Sequence, residues 1–289
     1  MVHASTVLRT AEEKDWRQIV GLMNGSRRLH SHLDWQNPKT WLGSTSFLSA
    51  WVRGQLAGLL AIPPEVSGVA WLRLAAVEEG LDGRWIMNEL WREGRSILIQ
   101  QGVMRVATLS TSIWLEATLA DWGFAASDLV VVMIRERGAV PLCVTGGPSI
   151  RAAHLKDLSM MTRIDNAAFT VPWSQSTETL RCALGQVGYA TVAEVDGQVV
   201  GFQISTGGER NAHMARLAVH PMSQKRGIGR ALVCDMIRYF ESKSTLTISL
   251  NTQEDNHTSL NLYRSLGFEQ SGDSHMLWQL WLCQSQVYN

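Results

Sequence analysis

Residues 217–232 read Leu217-Ala218-Val219-His220-Pro221-Met222-Ser223-Gln224-Lys225-Arg226-Gly227-Ile228-Gly229-Arg230-Ala231-Leu232. An apolar strand ends at Pro221, which has no N–H to give to a sheet ladder. A glycine-bearing loop then enters a helix whose apolar positions continue through Val233, Met236, Ile237 and Phe240 at helical spacing. Gly227 and Gly229 let backbone N–H groups approach an anion with no side chain in the way. The helix N-terminus adds unpaired donors and the positive end of its dipole. Lys225, Arg226 and Arg230 add mobile positive charge. The stretch therefore reads as a diphosphate cradle. It is neither a Walker loop, because no Gly-Lys-Ser/Thr follows, nor the Gly-x-Gly-x-x-Gly of a dinucleotide fold.

Working outward, the chain is written twice. Leu8-Arg9-Thr10-Ala11 leading to Lys14-Asp15 matches Ile150-Arg151-Ala152-Ala153 leading to Lys156-Asp157, at an offset of 142. Val52-Arg53-Gly54-Gln55-Leu56-Ala57-Gly58 matches Val195-Asp196-Gly197-Gln198-Val199-Val200-Gly201 at 143, each a hairpin with a two-residue turn containing Gly. Gly123-Phe124 matches Gly267-Phe268 at 144. Three echoes in one order at a slowly drifting offset indicate duplication with small loop insertions. The expected domains are residues 1–140 and 149–289, joined by a Gly- and Pro-broken linker over 137–148. Each copy reads as strand, helices, hairpin, strand, helix, strand, helix and a final pair of strands. That order is an α/β domain with a mixed central sheet flanked by helices.

Composition narrows the function classes. The 289 residues carry 26 Lys+Arg against 26 Asp+Glu, balanced in each half, so nothing here neutralises the many phosphates of a nucleic acid. No secretory signal is expected at the N-terminus and no apolar run is long enough to span a bilayer, so a cytoplasmic protein without a membrane partner is expected. Cys143, Cys182, Cys234 and Cys283 are widely spaced with no zinc pattern, and no metal is expected. Of 12 Trp, nine precede residue 123, while all four Tyr follow residue 188.

After the cradle come the strand Leu246–Leu250, Asn256, Ser259 and then Leu262-Tyr263-Arg264-Ser265-Leu266-Gly267-Phe268. With these positions the second copy resembles the GNAT superfamily of acyl-CoA N-acyltransferases. Its V-x-P then [QR]-x-x-G-x-[GA] is met by Val219, Pro221, Gln224, Gly227 and Gly229, and its Asn-to-Tyr-to-Gly-Phe spacing by Asn256, Tyr263, Gly267 and Phe268. The resemblance implies two tandem domains of this fold and acetyl-CoA as co-substrate. It implies that Gln224, Lys225, Arg226, Gly227, Ile228, Gly229, Arg230 and Ala231 hold the pyrophosphate. Leu217, Ala218 and Val219 would pair with the pantetheine arm, and Asn256 would contact its pantetheine or acetyl end. Tyr263 would protonate the departing thiolate. His213, on the same strand as Val219, stands where relatives carry a base, and an imidazole titrating near neutrality suits that task; a partly exposed histidine at a strand end is the other reading.

A closer similarity is to the bacterial acetyltransferases of ribosomal-protein N-termini. Phe169-Thr170-Val171-Pro172-Trp173-Ser174 matches their F-x-x-P-W-S segment, which implies that Phe169 and Trp173 border the acceptor. Those enzymes carry a catalytic glutamate where this chain has Asn251, which cannot accept a proton usefully. The acceptor implied is a primary amine, on a small molecule or at a peptide or protein N-terminus.

The first copy does not keep the cradle. At offset 142, Gly227 becomes Trp85, Gly229 becomes Met87 and Gln224 becomes Asp82; Tyr263 falls on Leu119. The first domain is expected to keep the fold and to have lost the cofactor site, with its Trp excess filling a vacated cleft, an inter-domain face or simply its core. Against the enzyme stands a second reading, a non-catalytic acyl-CoA-binding regulator whose first domain binds a partner.

Overall fold

The computed structural model describes residues 6–32, 35–65, 68–110, 112–139, 141, 147–186 and 188–282. In chain order the first copy runs β1 (Thr6–Thr10), α1 (Trp16–Gly25), β2 (Arg28–Ser31), β3 (Phe47–Val52), β4 (Gln55–Ala61), β5 (Val69–Trp71), β6 (Leu74–Val77), α2 (Gly83–Gln100), β7 (Arg105–Ser110), α3 (Ile113–Asp121) and β8 (Ala125–Glu136). The second runs β9 (Ser149–Ala152), α4 (Leu158–Ala168), α5 (Thr177–Gln186), β10 (Tyr189–Val195), β11 (Gln198–Gly207), β12 (Asn211–Val219), α6 (Ile228–Ser242), β13 (Thr247–Gln253), α7 (His257–Arg264) and β14 (Glu269–Trp281). Among the described residues no helix is long and apolar enough to cross a membrane.

The duplication is visible in geometry as well as in letters. Arg9 grips Asp15 with two hydrogen bonds (2.6 and 2.7 Å), and Arg151 grips Asp157 in the same way (2.8 and 2.9 Å). Each guanidinium, hydrogen-bonded to its carboxylate, holds that carboxyl below its usual range. Both hairpins turn through two residues of positive φ, Arg53-Gly54 (52° and 77°) and Asp196-Gly197 (51° and 74°), the type I′ geometry that matches strand twist. In both copies a helix sits down on a bare glycine. A Cβ on Gly58 would lie 2.6 Å from Ile86, and one on Gly201 would lie 3.3 Å from Ile228 and from Leu232. Gly123 and Gly267 close their helices at φ of 86° and 85°, with Phe124 N–H donating to Leu119 and Phe268 N–H donating to Tyr263.

The compact units of the structure are bounded differently from the sequence copies. The chain divides into one unit of residues up to Asp128 together with those from His275 onward, and a second unit, Leu129–Ser274. In the second unit β13 takes β8 as its antiparallel neighbour, Asn251 opposite Val132. In the first unit β7 takes β14, Thr108 opposite Trp278. The expected final pair of strands is thus one long strand, β14, and each unit ends its sheet on a segment from the other half of the sequence. Ladder bonds are made by backbone and carry little residue identity, so the exchange leaves both sheets satisfied. Half of the expected linker, and with it Cys143, lies outside the described residues, as does Cys283.

In the second unit the strand order is β8-β13-β12-β11-β10-β9, with β12 and β13 parallel and the other pairs antiparallel. Helix α6 buries Leu232, Val233, Met236, Ile237 and Phe240 against Ala212, Met214, Ile248 and Leu250, so the apolar stripe read from the sequence is its core face. In the first unit α2 does the same with Ile86, Met87, Leu90 and Trp91. Trp41, Trp51, Trp71 and Trp91 are buried in that unit, so ordinary core packing accounts for them. Trp91 also stacks on Trp122, their rings 5.0 Å apart.

Candidate active site

The site of the second unit begins where two parallel strands part. β12 and β13 pair from Asn211↔Thr247 to Met214↔Leu250 and no further. β12 nevertheless runs on to Val219, paired with β11 up to Gly201, after a register shift that leaves Ala215 as an extra residue. β13 runs on to Gln253, paired with β8 on its far side. Among the described residues no strand pairs with the β13-facing edge of Arg216–Val219. An open edge offers unmet N–H and C=O groups to any extended ligand that carries amides.

That edge leads to the loop. Leu217 and Val219 pack under α6 with Ile228 and Leu232, which aims the strand end at the helix N-terminus. Gln224 bends back so that Nε2 donates to Val219 O at 3.0 Å. Lys225 and Gly227 both stand at positive φ (59° and 76°). Gly227 is the N-cap of α6 and supplies no side-chain acceptor, so the first-turn N–H groups stay uncapped. A Cβ on Gly227 would meet nothing within 4 Å, so its requirement there is the backbone angle; one on Gly229 would make only ordinary contacts at 3.5 and 3.8 Å. Lys225 and Arg226 are exposed, and Arg230 reaches Ser265 Oγ at 3.0 Å, tying α6 to the end of α7. The described geometry fits a diphosphate followed by an amide-bearing arm: an uncapped helix end beside cations, continuous with an open strand edge.

Tyr263 lies in the last turn of α7, 5% exposed, edge-on to Phe268 with ring centroids 6.0 Å apart. Burial pushes its hydroxyl up to about 12, partly offset by a hydrogen bond with Ser259 and by the Arg216 charge. A phenol so held is protonated at neutral pH and can give its proton away. Asn256 is the N-cap of α7, its Oδ1 accepting from Ser259 N–H at 3.1 Å, so that oxygen is already committed. His213 sits at the closed end of the split, paired with Ser249, and its Nδ1 lies 2.9 Å from Ser249 Oγ. Burial lowers its pKa. Asn251 is exposed on β13.

Sequence reading missed the residue that ties the Phe169–Trp173 segment to β12. Arg216, on the splayed part of β12, donates from Nε and Nη2 to Asp165 of α4 at 2.7 and 2.8 Å, and from Nη2 to Trp173 O at 2.8 Å. Its guanidinium lies 3.6 Å from the Phe169 ring centroid. Asp165 is fully buried and also accepts from Gln175 N–H at 2.8 Å. A buried pair of this kind with every bond made acts as a clamp, holding the Phe169–Trp173 segment against β12. Two signals were present: a carboxylate among the inward positions Leu158, Met161 and Ile164 of α4, and an arginine among the apolar residues Met214–Val219 of β12.

The equivalent place in the first unit is occupied by the chain itself. β6 pairs with β4 so that Val77 faces Gly58, as Val219 faces Gly201. Its other edge, the one left open in β12, is covered by β2, with Arg28↔Val77, Leu29↔Ala76, His30↔Ala75 and Ser31↔Leu74. Ser26 Oγ donates to Val77 O at 2.7 Å. The helix end is capped as well, Asp82 Oδ1 accepting from Trp85 N–H at 3.1 Å, and Met87 is buried in the core.

A splayed parallel pair leading into a glycine-bearing helix end, beside a buried phenol, belongs to an acyltransferase. The family model for GNAT acetyltransferases matches residues 158–268, within the second unit. The [ribosomal protein bS18]-alanine N-acetyltransferase of Escherichia coli K12 is 27% identical over 123 residues, 43% of this chain and 82% of that protein. Its counterpart in Salmonella typhimurium is 30% identical over 118 residues, 40% of this chain and 76% of that protein. A tandem GNAT protein from the clavulanic acid biosynthesis pathway, at 17% identity, superposes with a TM-score of 0.67 over 97% of this chain and 100% of its own. The chain belongs to the GNAT acetyltransferase family and is an acyltransferase with two tandem domains of that fold. The reading as a non-catalytic regulator gives way to the enzyme.

Proposed function

We propose that the second unit transfers the acetyl group of acetyl-CoA to a primary amine, on a small molecule or at a peptide or protein N-terminus. The observation that carries this reading is the open Arg216–Val219 edge running into the uncapped N-terminus of α6. When bound, acetyl-CoA supplies an acetyl group activated as a thioester. The first-turn N–H groups of α6, with Lys225, Arg226 and Arg230, hold its diphosphate. The backbone of Leu217–Val219 holds the pantetheine amides and orients the acyl carbonyl. His213 takes the proton that the attacking amine loses, and Tyr263 gives its proton to the sulfur. One amine and one thioester go in, one amide and one thiol come out, and the two protein protons balance. The Arg216 clamp keeps Phe169 and Trp173 beside the acceptor.

A panel of small amines and short peptides, including peptides with N-terminal alanine, read as free thiol released from acetyl-CoA, tests the reading. Turnover with at least one primary amine supports it, and no release from any acceptor counts against it. Tyr263→Phe should lower kcat by about 10² to 10⁴ while leaving the Kd for acetyl-CoA within about twofold. Unchanged turnover removes Tyr263 from the mechanism.

A further inference from the structure

Ser249 has no part in the scheme above, yet it is the side chain that touches His213. The two residues face each other across the last stretch where β12 and β13 are still paired, one step before the strands part. A serine hydroxyl has a single hydrogen to donate. With its hydrogen turned to the Ala212 carbonyl, 3.3 Å away, Ser249 Oγ meets His213 Nδ1, 2.9 Å away, as an acceptor. His213 must then carry its proton on Nδ1, which leaves the lone pair on Nε2.

We propose that Ser249 is a positioning residue for acetyl transfer: it fixes the tautomer of His213 so that Nε2 is the proton acceptor at the apex of the split. The inference rests on His213 being the base. It also gives a structural account of Asn251. Residues 249 and 251 lie on the same face of β13, as alternate positions of a strand do. β13 thus offers a hydroxyl beneath His213 and a non-basic amide at the next position, which places the base on β12.

The surroundings leave His213 neutral. Burial is the sole cause of its lowered pKa. β11, which sets Thr206 opposite it, and β13 contain no charged residue. On α4 the buried Asp165 is bound to Arg216 of β12 itself, and Arg163 is exposed; the charged residues of α6 belong to the helix packed on the other face of the strand.

The test is a two-bond proton–nitrogen correlation spectrum of the full chain labelled with ¹⁵N-histidine, with His213 assigned by its loss in His213→Gln. The expected pattern is Nδ1–H in the wild type, changing to Nε2–H in Ser249→Ala and retained in Ser249→Thr. Ser249→Ala should also lower kcat roughly 10- to 100-fold, less than removing a general base outright, with the KM for acetyl-CoA unchanged. An Nε2–H pattern in the wild type, or a tautomer unmoved by Ser249→Ala, overturns the proposal. If His213→Gln keeps full turnover, the base assignment fails by itself, while the tautomer pattern still decides what Ser249 does.

Discussion

The outer edge of β12 in the second unit and that of β6 in the first are the same piece of architecture with opposite contents. Both run antiparallel to a strand carrying the helix-seating glycine, Gly201 or Gly58, and both end at a helix N-terminus. In the second unit the chain leaving α4 turns through Phe169–Trp173 into α5, and the edge stays open. In the first, the chain leaving α1 turns at once into β2 and pairs with that edge. An exposed strand edge does not stay empty without cost, and a duplicate that no longer needs a ligand can satisfy it with its own backbone. In the first unit the edge that stays open in the second is filled by the chain's own strand.

The largest effect should come from moving the first unit's solution into the second. Gly227→Trp installs the residue found at position 85, at a backbone angle that suits glycine. It should weaken acetyl-CoA binding by more than ~100-fold, which is about 2.8 kcal/mol at ~1.4 kcal/mol per factor of ten. Isothermal titration should show one acetyl-CoA per wild-type chain and none for the variant. Two equivalents bound by the wild type would break the comparison at its root.

Two arginines paired with buried carboxylates come next. Arg216→Ala strips Asp165 of its cation, and Arg73→Ala does the same to Glu65, which Arg73 contacts at 3.0 Å with both side chains under 10% exposed. Each should cost about 3–5 kcal/mol in urea unfolding. Only Arg216→Ala should raise the KM for the acceptor; an equal change in both variants would mean that the clamp serves stability alone.

A smaller effect separates the units by pH. His30 of β2 is fully buried against Thr108, and burial lowers its pKa from 6.5 to about 4. Below pH 6.5 the unfolded chain binds a proton that the folded chain refuses until about pH 4. Stability is therefore whole above pH 6.5 and is lost as the pH falls through that window, by roughly 3 kcal/mol. His30→Asn should flatten this slope in unfolding experiments run between pH 7 and 4, without moving the acid limb of acetyl transfer, which the proposed base His213 would set. A slope unchanged by the substitution would assign the acid sensitivity elsewhere.

How much of this was legible depends on how far apart the partners lie. The hairpin turns at Arg53-Gly54 and Asp196-Gly197, the cradle from Gln224 to Ala231 and the core face of α6 all depend on neighbours within a few positions, so letters alone carry them. Arg216 and Asp165 are 51 residues apart, and His213 and Ser249 are 36 apart. Nothing local marks either pair as a pair. Asn256 shows the converse: its place before a short helix marks a cap, and its Oδ1 accepts from Ser259 N–H three positions on.

By itself the sequence determined that there are two copies of one α/β fold, that the second keeps a glycine loop shaped for a diphosphate, and that the first has lost it. Periodicity, turn chemistry and bulky replacements are written residue by residue. Tertiary structure alone decided which strand edge is open, that β2 fills the other, and that β8 and β14 each pair with a strand from the other half of the sequence. Those outcomes are settled by backbone hydrogen bonds, which every residue but proline can make in the same way and which therefore leave almost no trace in the letters.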